Sequence, residues 1–454
     1  MVSLRSRRLE AWFGAPLSEV AAHHVLELVP GAVQEDFDLD FKSQMYGNGD
    51  AERRDLAADV AAMANSAGGV IVLGVEENEH AQAVAAPGIA ISDEVERRIL
   101  QVTAGISPAP PVAVRRLPLE AINPGHGFVL IIVPRSLSAP HAVVVNATSL
   151  RYPVRHGTTT RYLTAPEVAL AYRQRLLTEA EQPRRAAEAE TQGQEFLADG
   201  ELWLQVSVTP ELAGNLRIDT ASLRKTQREL SGRPSSVFSN YSTSPNLRTG
   251  HRRFIVSGDM HSGPPFKHDV AQLHSDGAGT WAQVLWDLDQ RNANASDAER
   301  TGELPTYLVS DEAIVEAAIS GALLLAEHAR DRAQAAGQGL VRVQLINRTG
   351  RTFAFGHTRG HGFPTAWSGS FAVTDLPIAE AHADLDDIAS NTADLLIALH
   401  PVLTDLVQSF GVAELAQLTD DGRIRTPYWN HQRLPYVKRW AETQGVELTD
   451  EQLP

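Results

Sequence analysis

Residues 35 to 42 read Glu-Asp-Phe-Asp-Leu-Asp-Phe-Lys, four carboxylates and one ammonium within eight positions. In an extended chain Phe37, Leu39 and Phe41 take one face, and Asp36, Asp38, Asp40 and Lys42 take the other. Three carboxylates stacked on one strand face repel one another unless water, a lysine or a metal ion compensates. A second segment, Ala-Asn-Ser-Ala-Gly-Gly-Val-Ile-Val-Leu-Gly-Val-Glu (64–76), is an apolar strand that ends on another acid, Glu76. Carboxylates at neighbouring strand ends can hold a divalent cation, and that cation can activate water against a phosphodiester. The same residues also describe a solvated strand face. Lys42, two positions beyond Asp40, can steady a nonbridging phosphate oxygen or form a salt bridge to Asp40.

The elements that must position these groups alternate between strand and helix. A strand at 36–43 leads through Gly47-Asn48-Gly49 into a helix at 51–65, with Leu56, Val60, Met63 and Ala64 at helical spacing. Gly68 and Gly69 end that helix and start a buried strand at 70–75. Ser92 caps a helix at 92–104, and strands follow at 112–117, 128–134 and 150–154. Thr164 caps a last helix at 166–177, with Pro166 in the favoured first turn. These elements predict a mixed α/β domain over 1–177. The polar stretch 178–194 reads as a charged linker or an extension of the preceding helix.

Composition bounds the function. The chain has 454 residues, enough for two or three domains, with 43% hydrophobic and 21% charged residues. No run of eighteen apolar residues and no signal-peptide pattern is present, so a cytoplasmic location without a membrane partner is expected. The absence of cysteine excludes disulfides, thiolate metal sites and cysteine nucleophiles. A formal net charge of −16 argues against nonspecific coating of nucleic acid. The charge is uneven: residues 1–180 hold 16 Lys and Arg against 20 Asp and Glu, and the remainder holds 24 against 36. Arg115, Arg116, Arg135, Arg151, Arg155 and Arg161 cluster in the first part, as a basic surface beside an acidic pocket would require.

Residues 35–173 resemble the Schlafen AlbA_2 domain family, once catalogued as a divergent AAA-type ATP-binding module. The matching pieces are Glu35-x4-Asp40-Phe41-Lys42, Ala64-Asn65-Ser66-Ala67-Gly68-Gly69 with Gly74-Val75-Glu76, and Val133-Pro134-Arg135-Ser136 with Pro140-His141. Tyr152-x2-Arg155-His156-Gly157-Thr158 and Pro166-Glu167 complete the order. The resemblance implies a bacterial, metal-dependent endoribonuclease acting on structured RNA such as tRNA, with a role in stress or antiphage defence. By motif position its three acids fall on Glu35, Asp40 and Glu76, with Mg²⁺ or Mn²⁺ as the metal. Two of them are exchanged, since the family's second Glu is Asp40 and its later Asp is Glu76. Glu35 and Asp40 are five residues apart, so Glu35 joins the site only if the chain turns just before Asp36. Otherwise Asp38 is the substitute ligand.

Arg135, Arg151, Arg155, His156 and Arg161 are the expected phosphate contacts, although the run from Arg155 to Arg161 also describes an exposed hairpin turn. His141 and Asn65 read as structural residues. The rival class is a noncatalytic DNA- or RNA-binding module of a regulator. A third is a nucleotide switch, for which no Gly-x4-Gly-Lys-Ser/Thr or Gly-x-Gly-x-x-Gly motif is present. Pairing of Schlafen domains within the family implies a homodimer.

Residues 195–454 read as an α/β accessory domain for recognition, sensing or oligomerisation, with a protein or small-molecule partner. Strands are expected at 202–209, 253–256, 281–288, 341–347 and 352–356, and helices at 311–335 and 378–410. His357 and His361 have a four-residue spacing, but the intervening Gly360 speaks against a zinc pair on a helix.

Overall fold

A computed structural model describes residues 6–17, 19–119, 123–136, 138–146, 149–234, 236–239, 244–258, 265–288, 306–358 and 365–453. Helix and strand are mixed throughout, as the alternation predicts. The chain forms two compact units, Met1–Glu179 and Ala180–Pro454. Among the described residues no helix is long and apolar enough to cross a membrane.

The first unit opens with two short helices, α1 (Arg7–Phe13) and α2 (Ala22–Leu26), which the periodicity does not announce. Strand β1 (Leu39–Lys42) is followed by α3 (Asp50–Ala64) and β2 (Gly68–Leu73). Short strands β3 (Glu76–Glu77), β4 (Ala83–Ala85) and β5 (Ile89–Ala90) precede α4 (Asp93–Thr103). Ser92 caps α4 by accepting the Val95 amide at 3.4 Å. Then come β6 (Ala113–Pro118) and β7 (His126–Pro134), a ribbon of β8 (Val143–Asn146) and β9 (Ser149–Arg151), and a hairpin of β10 (Pro153–His156) and β11 (Thr159–Tyr162). The single strand expected at 150–154 is thus broken at Tyr152.

The main sheet runs β1-β2-β7-β5, with β6 also on β7, and β1 lies parallel to β2. Val70 and Val72 face a core shared with Leu9, Phe13 and Leu28, while Ile71 and Leu73 face α3 through Leu56, Val60 and Met63. Both sheet faces are therefore covered, which is why β2 is apolar at every position. Gly68 adopts φ +80°, and a Cβ on Gly69 would meet the Asp38 carbonyl oxygen at 2.6 Å. The glycine pair thus lets β2 pass close beneath the Asp38 backbone.

Of the two readings of 178–194, a linker or an extension of the preceding helix, the structure has the second: helix α5 (Ala165–Gln194) runs through it. From Ala180 onward it packs within the second unit: Gln182 donates to the Thr209 carbonyl at 2.8 Å, and Glu190 accepts from Ser207 at 2.6 Å and Arg342 at 2.9 Å. Its polar composition therefore reflects specific hydrogen bonds rather than a solvated linker.

The second unit is built on a seven-stranded antiparallel sheet. Its strands are β12 (Leu202–Leu212), β13 (Asn246–Gly250), β14 (Arg253–Ser257), β15 (Asp269–His274) and β16 (Gly279–Leu285), with β18 (Ala336–Asn347) and β21 (Ala379–Asp384). Between them in sequence, β17 (Tyr307–Ser310), β19 (Phe353–His357) and β20 (Thr365–Ala366) form a separate three-stranded sheet. The helix Asp311–Glu327 packs on β12 and β16. The helix expected over 378–410 is a correction. Ala379, Ala381 and Ala383 alternate with Glu380, His382 and Asp384, and this segment completes the sheet against β18, with Ala393–Gln408 alone forming the long helix. His361 lies outside the described residues.

Candidate functional site

The chain reverses over Asp36–Leu39, where the Asp36 amide donates to the Leu39 carbonyl at 3.2 Å and the Leu39 amide donates back at 3.3 Å. The strand expected from Asp36 therefore begins only at Leu39, and Asp36, Phe37 and Asp38 form a turn. Phe37 does not join Leu39 and Phe41 in the core. It is exposed, and the Arg8 guanidinium lies 4.9 Å from its ring centre. The reversal folds Glu35 back so that its carboxylate accepts the Phe41 amide. Glu35 and Asp40 thereby come together, both buried, through the turn that their odd spacing requires.

Asp40 is held by two cations. Lys42 bonds one carboxylate oxygen, and Arg155 bonds the other at 2.9 Å. Arg155 also donates to the Asp36 carbonyl at 3.3 Å, and its side chain is only 2% exposed. This corrects the expectation that Arg155 steers a phosphate backbone, because its guanidinium is spent inside the domain. The small motifs explain how it is delivered. Asn65 donates to the His141 and Pro153 carbonyls, each at 2.9 Å, and accepts the His141 amide at 2.6 Å. The Ser66 hydroxyl accepts the Arg155 amide at 2.9 Å. His141 is buried with Nδ1 2.7 Å from the Pro108 carbonyl, and burial lowers its pKa. Asn65, Ser66 and His141 are thus braces that set the start of β10 against the end of α3.

Asp38, weighed as a substitute ligand, is turned to Arg8. The Arg8 guanidinium lies 2.8 Å from Asp36 and 3.3 Å from Asp38. Burial pushes the Asp38 carboxyl up against the pull of Arg8. On the Lys42 side, Asp59 of α3 lies 3.9 Å from the ammonium and accepts the Tyr46 hydroxyl at 2.7 Å. Burial works against the Lys42 charge, but Asp40 and Asp59 outweigh it and hold the ammonium above its usual pKa. Burial, and then Asp40, raise the Asp59 carboxyl.

Burial, then the charge of Asp40 and further that of Glu77, push the Glu35 carboxyl up to about 8, against the Phe41 hydrogen bond and Lys42. Of the two acids of β3, Glu77 is therefore the one that weighs more on Glu35. Both glutamates are exposed, and a register irregularity separates them in the β3–β4 pairing. Asp40, Glu35 and Glu77 offer hard oxygen donors whose mutual repulsion a divalent cation would relieve. Among the described residues, however, no three acidic or histidine side chains are already gathered into a cation site.

The other basic residues divide. Arg135, Arg151, His156 and Arg161 are exposed. Arg151 lies 5.2 Å from the Tyr162 ring centre, and Arg161 pairs with Glu167 at 3.0 Å. His156 flanks the hairpin turn at Gly157, where φ is +60°. Arg115 donates to the Leu17 carbonyl at 2.5 Å, and Arg116 pairs with Asp93 and with Glu96 at 3.0 Å. Arg115 thus ties the connection between α1 and α2 to the sheet and Arg116 ties α4 to it, which leaves the expected basic cluster smaller. Arg8, Tyr46, Asp59 and Glu77 are the site residues that sequence reasoning missed. Only Glu77 had a local signal, its adjacency to Glu76.

No curated protein matches the chain. Among solved structures, the DIP2311 protein from Corynebacterium diphtheriae aligns at 19% identity and a TM-score of 0.21, covering 45% of this chain and 37% of that one. The N-terminal domain of a putative ATP-dependent DNA helicase RecG-related protein from Nitrosomonas europaea aligns at 22% identity and a TM-score of 0.22, covering 32% of this chain and 94% of that one. This chain thus spans well under half the length of the DIP2311 protein. Residues 35–164 match the family model described as Schlafen, AlbA_2, so this segment of the chain is similar to that family.

Proposed function

We propose that the Schlafen AlbA_2-like domain is a metal-dependent endoribonuclease that cleaves structured, tRNA-like RNA. The observation that carries this reading is the chain reversal at Asp36–Leu39, which sets Glu35 against the Phe41 amide beside Asp40 and within the field of the exposed Glu77. Glu35, Asp40 and Glu77 are the residues that would hold Mg²⁺ or Mn²⁺, with Glu77 replacing Glu76 in that role. When bound, such an ion polarises a phosphate oxygen and lowers the pKa of attacking water. Lys42 leans on Asp40 and is one-third exposed, so it can exchange that partner for a nonbridging phosphate oxygen. Exposed Arg135, Arg151, His156 and Arg161 supply contacts to the RNA backbone.

One observation favours a second reading, a noncatalytic RNA- or DNA-binding module. Both Asp40 oxygens are already bonded to cations, and the pairing satisfies the buried charge without metal. The deciding experiment incubates the full chain with total tRNA and Mn²⁺, beside an EDTA control, Asp40→Asn and the exposed-site variant Glu77→Gln. Discrete fragments that vanish in all three controls support the nuclease. Intact tRNA with a retained gel shift supports the binding module, and intact tRNA without a shift sinks both readings for this RNA.

A further inference from the structure

The second unit contains a cavity of about 850 Å³ that the RNA chemistry does not use. It lies between the helix Asp311–Glu327, the β15–β16 face of the large sheet and the helix Leu434–Gln444. Cavities of roughly 300–1,000 Å³ suit small organic ligands. Buried Trp281, Trp440 and Phe238 form its walls, and Tyr436 stands at its lip. Phe238 meets Trp440 edge to face with ring centres 5.3 Å apart, and it meets Trp429 the same way at 5.2 Å. Interlocked rings of this kind give a wall that is formed before a ligand arrives.

The arginines around the cavity are already matched. Arg433 pairs with Glu316, whose other oxygen accepts the Ser236 hydroxyl, and Arg233 pairs with Glu327. Asp269 accepts the Gly258 amide at 3.2 Å. An anionic ligand would have to take an arginine from a carboxylate that is itself mostly buried, and the abandoned charge would oppose binding. Gln283 and Gln444 line the same space and add neutral donors and acceptors.

We propose that this cavity binds an uncharged, flat aromatic small molecule, held by the tryptophan and phenylalanine walls and oriented by the amide side chains. The accessory unit is thereby a ligand-binding domain, independent of whether the first unit cuts RNA.

The test titrates the full chain with the uncharged probe N-phenyl-1-naphthylamine while exciting tryptophan. The anionic 8-anilinonaphthalene-1-sulfonate is titrated in parallel. Saturable one-to-one energy transfer to the neutral probe is expected, with the anionic probe at least tenfold weaker. Ala313→Phe, which projects a ring from the helix into the cavity, should weaken the neutral probe at least tenfold without moving the thermal midpoint. Tyr436→Ala, at the exposed lip, should weaken it several-fold and serves if the first variant fails to fold. Nonsaturable signal, equal affinity for both probes, or wild-type binding by a folded variant would each overturn the proposal.

Discussion

Glu35 with Asp40, in the first unit, and Glu312 with Asp311, in the second, are both buried acid pairs. In each, burial first and the aspartate next push the glutamate up to about 8. Their partners differ. Asp311 accepts from Gln417 at 2.7 Å and Trp367 at 3.1 Å, and both Glu312 oxygens accept from Asn430 at 2.8 Å. Those donors are neutral, the Arg433 guanidinium stands farther off at 3.8 Å from Glu312, and the pair occupies the first turn of a helix, where the backbone dipole favours acids. Asp40 instead holds Lys42 and Arg155, and Glu35 feels an exposed acid that no buried network encloses. A displaced pKa is thus common to a structural hub and a candidate site. What separates them is direct bonding: a cation sits on each Asp40 oxygen, whereas the groups that bond Asp311 and Glu312 are neutral.

The comparison breaks first at Arg155. Arg155→Ala leaves the Asp40 carboxylate buried without one of its cations, and a loss of about 3–5 kcal/mol is expected in denaturant unfolding. A loss below about 1 kcal/mol would mean that Asp40 is hydrated and that the cation pair is not what holds it.

A smaller effect sharpens the likeness of the two glutamates. Each folded pKa of about 8 lies above the ordinary value of 4.5, so the folded state binds the proton more tightly. That contribution is complete below about 4.5 and is lost as pH rises through about 8. In metal-free buffer Glu35→Gln and Glu312→Gln should each flatten the decline in stability between these limits. Relative to wild type, each should gain more than about 1.4 kcal/mol from pH 5 to pH 8.5, the equivalent of one pKa unit. Thermal melts at three pH values read the slope, and an unchanged slope in either variant removes that residue from the comparison.

The smallest effect on stability belongs to β3. Both glutamates are exposed, so Glu76→Gln and Glu77→Gln should each stay within about 0.5 kcal/mol of wild type. RNA cleavage should fall about a hundredfold in Glu77→Gln alone, on the order of a lost electrostatic contact in a catalytic site. Equal loss in both variants would restore Glu76 to the site.

Much of the first unit was legible because its signals are local. The cap at Ser92, the Gly47–Gly49 turn before α3, the glycine pair before β2 and the apolar runs at 70–75 and 128–134 each depend on neighbours a few residues away. The motif order also singled out the Asp40 region, and the family match covers it. The helix read over 378–410 failed because alternating alanines are weak evidence of a strand until an open edge on β18 receives them. Arg8 and Asp59 carried no sequence signal for the site, since nothing near them in the chain links them to Asp40.

By itself, then, the sequence determined the main helices and strands of the first unit from β1 onward, the glycine turn and the acidic segment, because backbone preference and periodic burial act over a few residues. Only the tertiary structure decided that Arg155, 115 residues away, neutralises Asp40. It also decided that the turn at Asp36 recruits Glu35, and that of the β3 acids Glu77 weighs more on it than Glu76. Charge pairing is a matter of distance and burial in space, and a one-residue change of register on a strand turns a side chain to the opposite face.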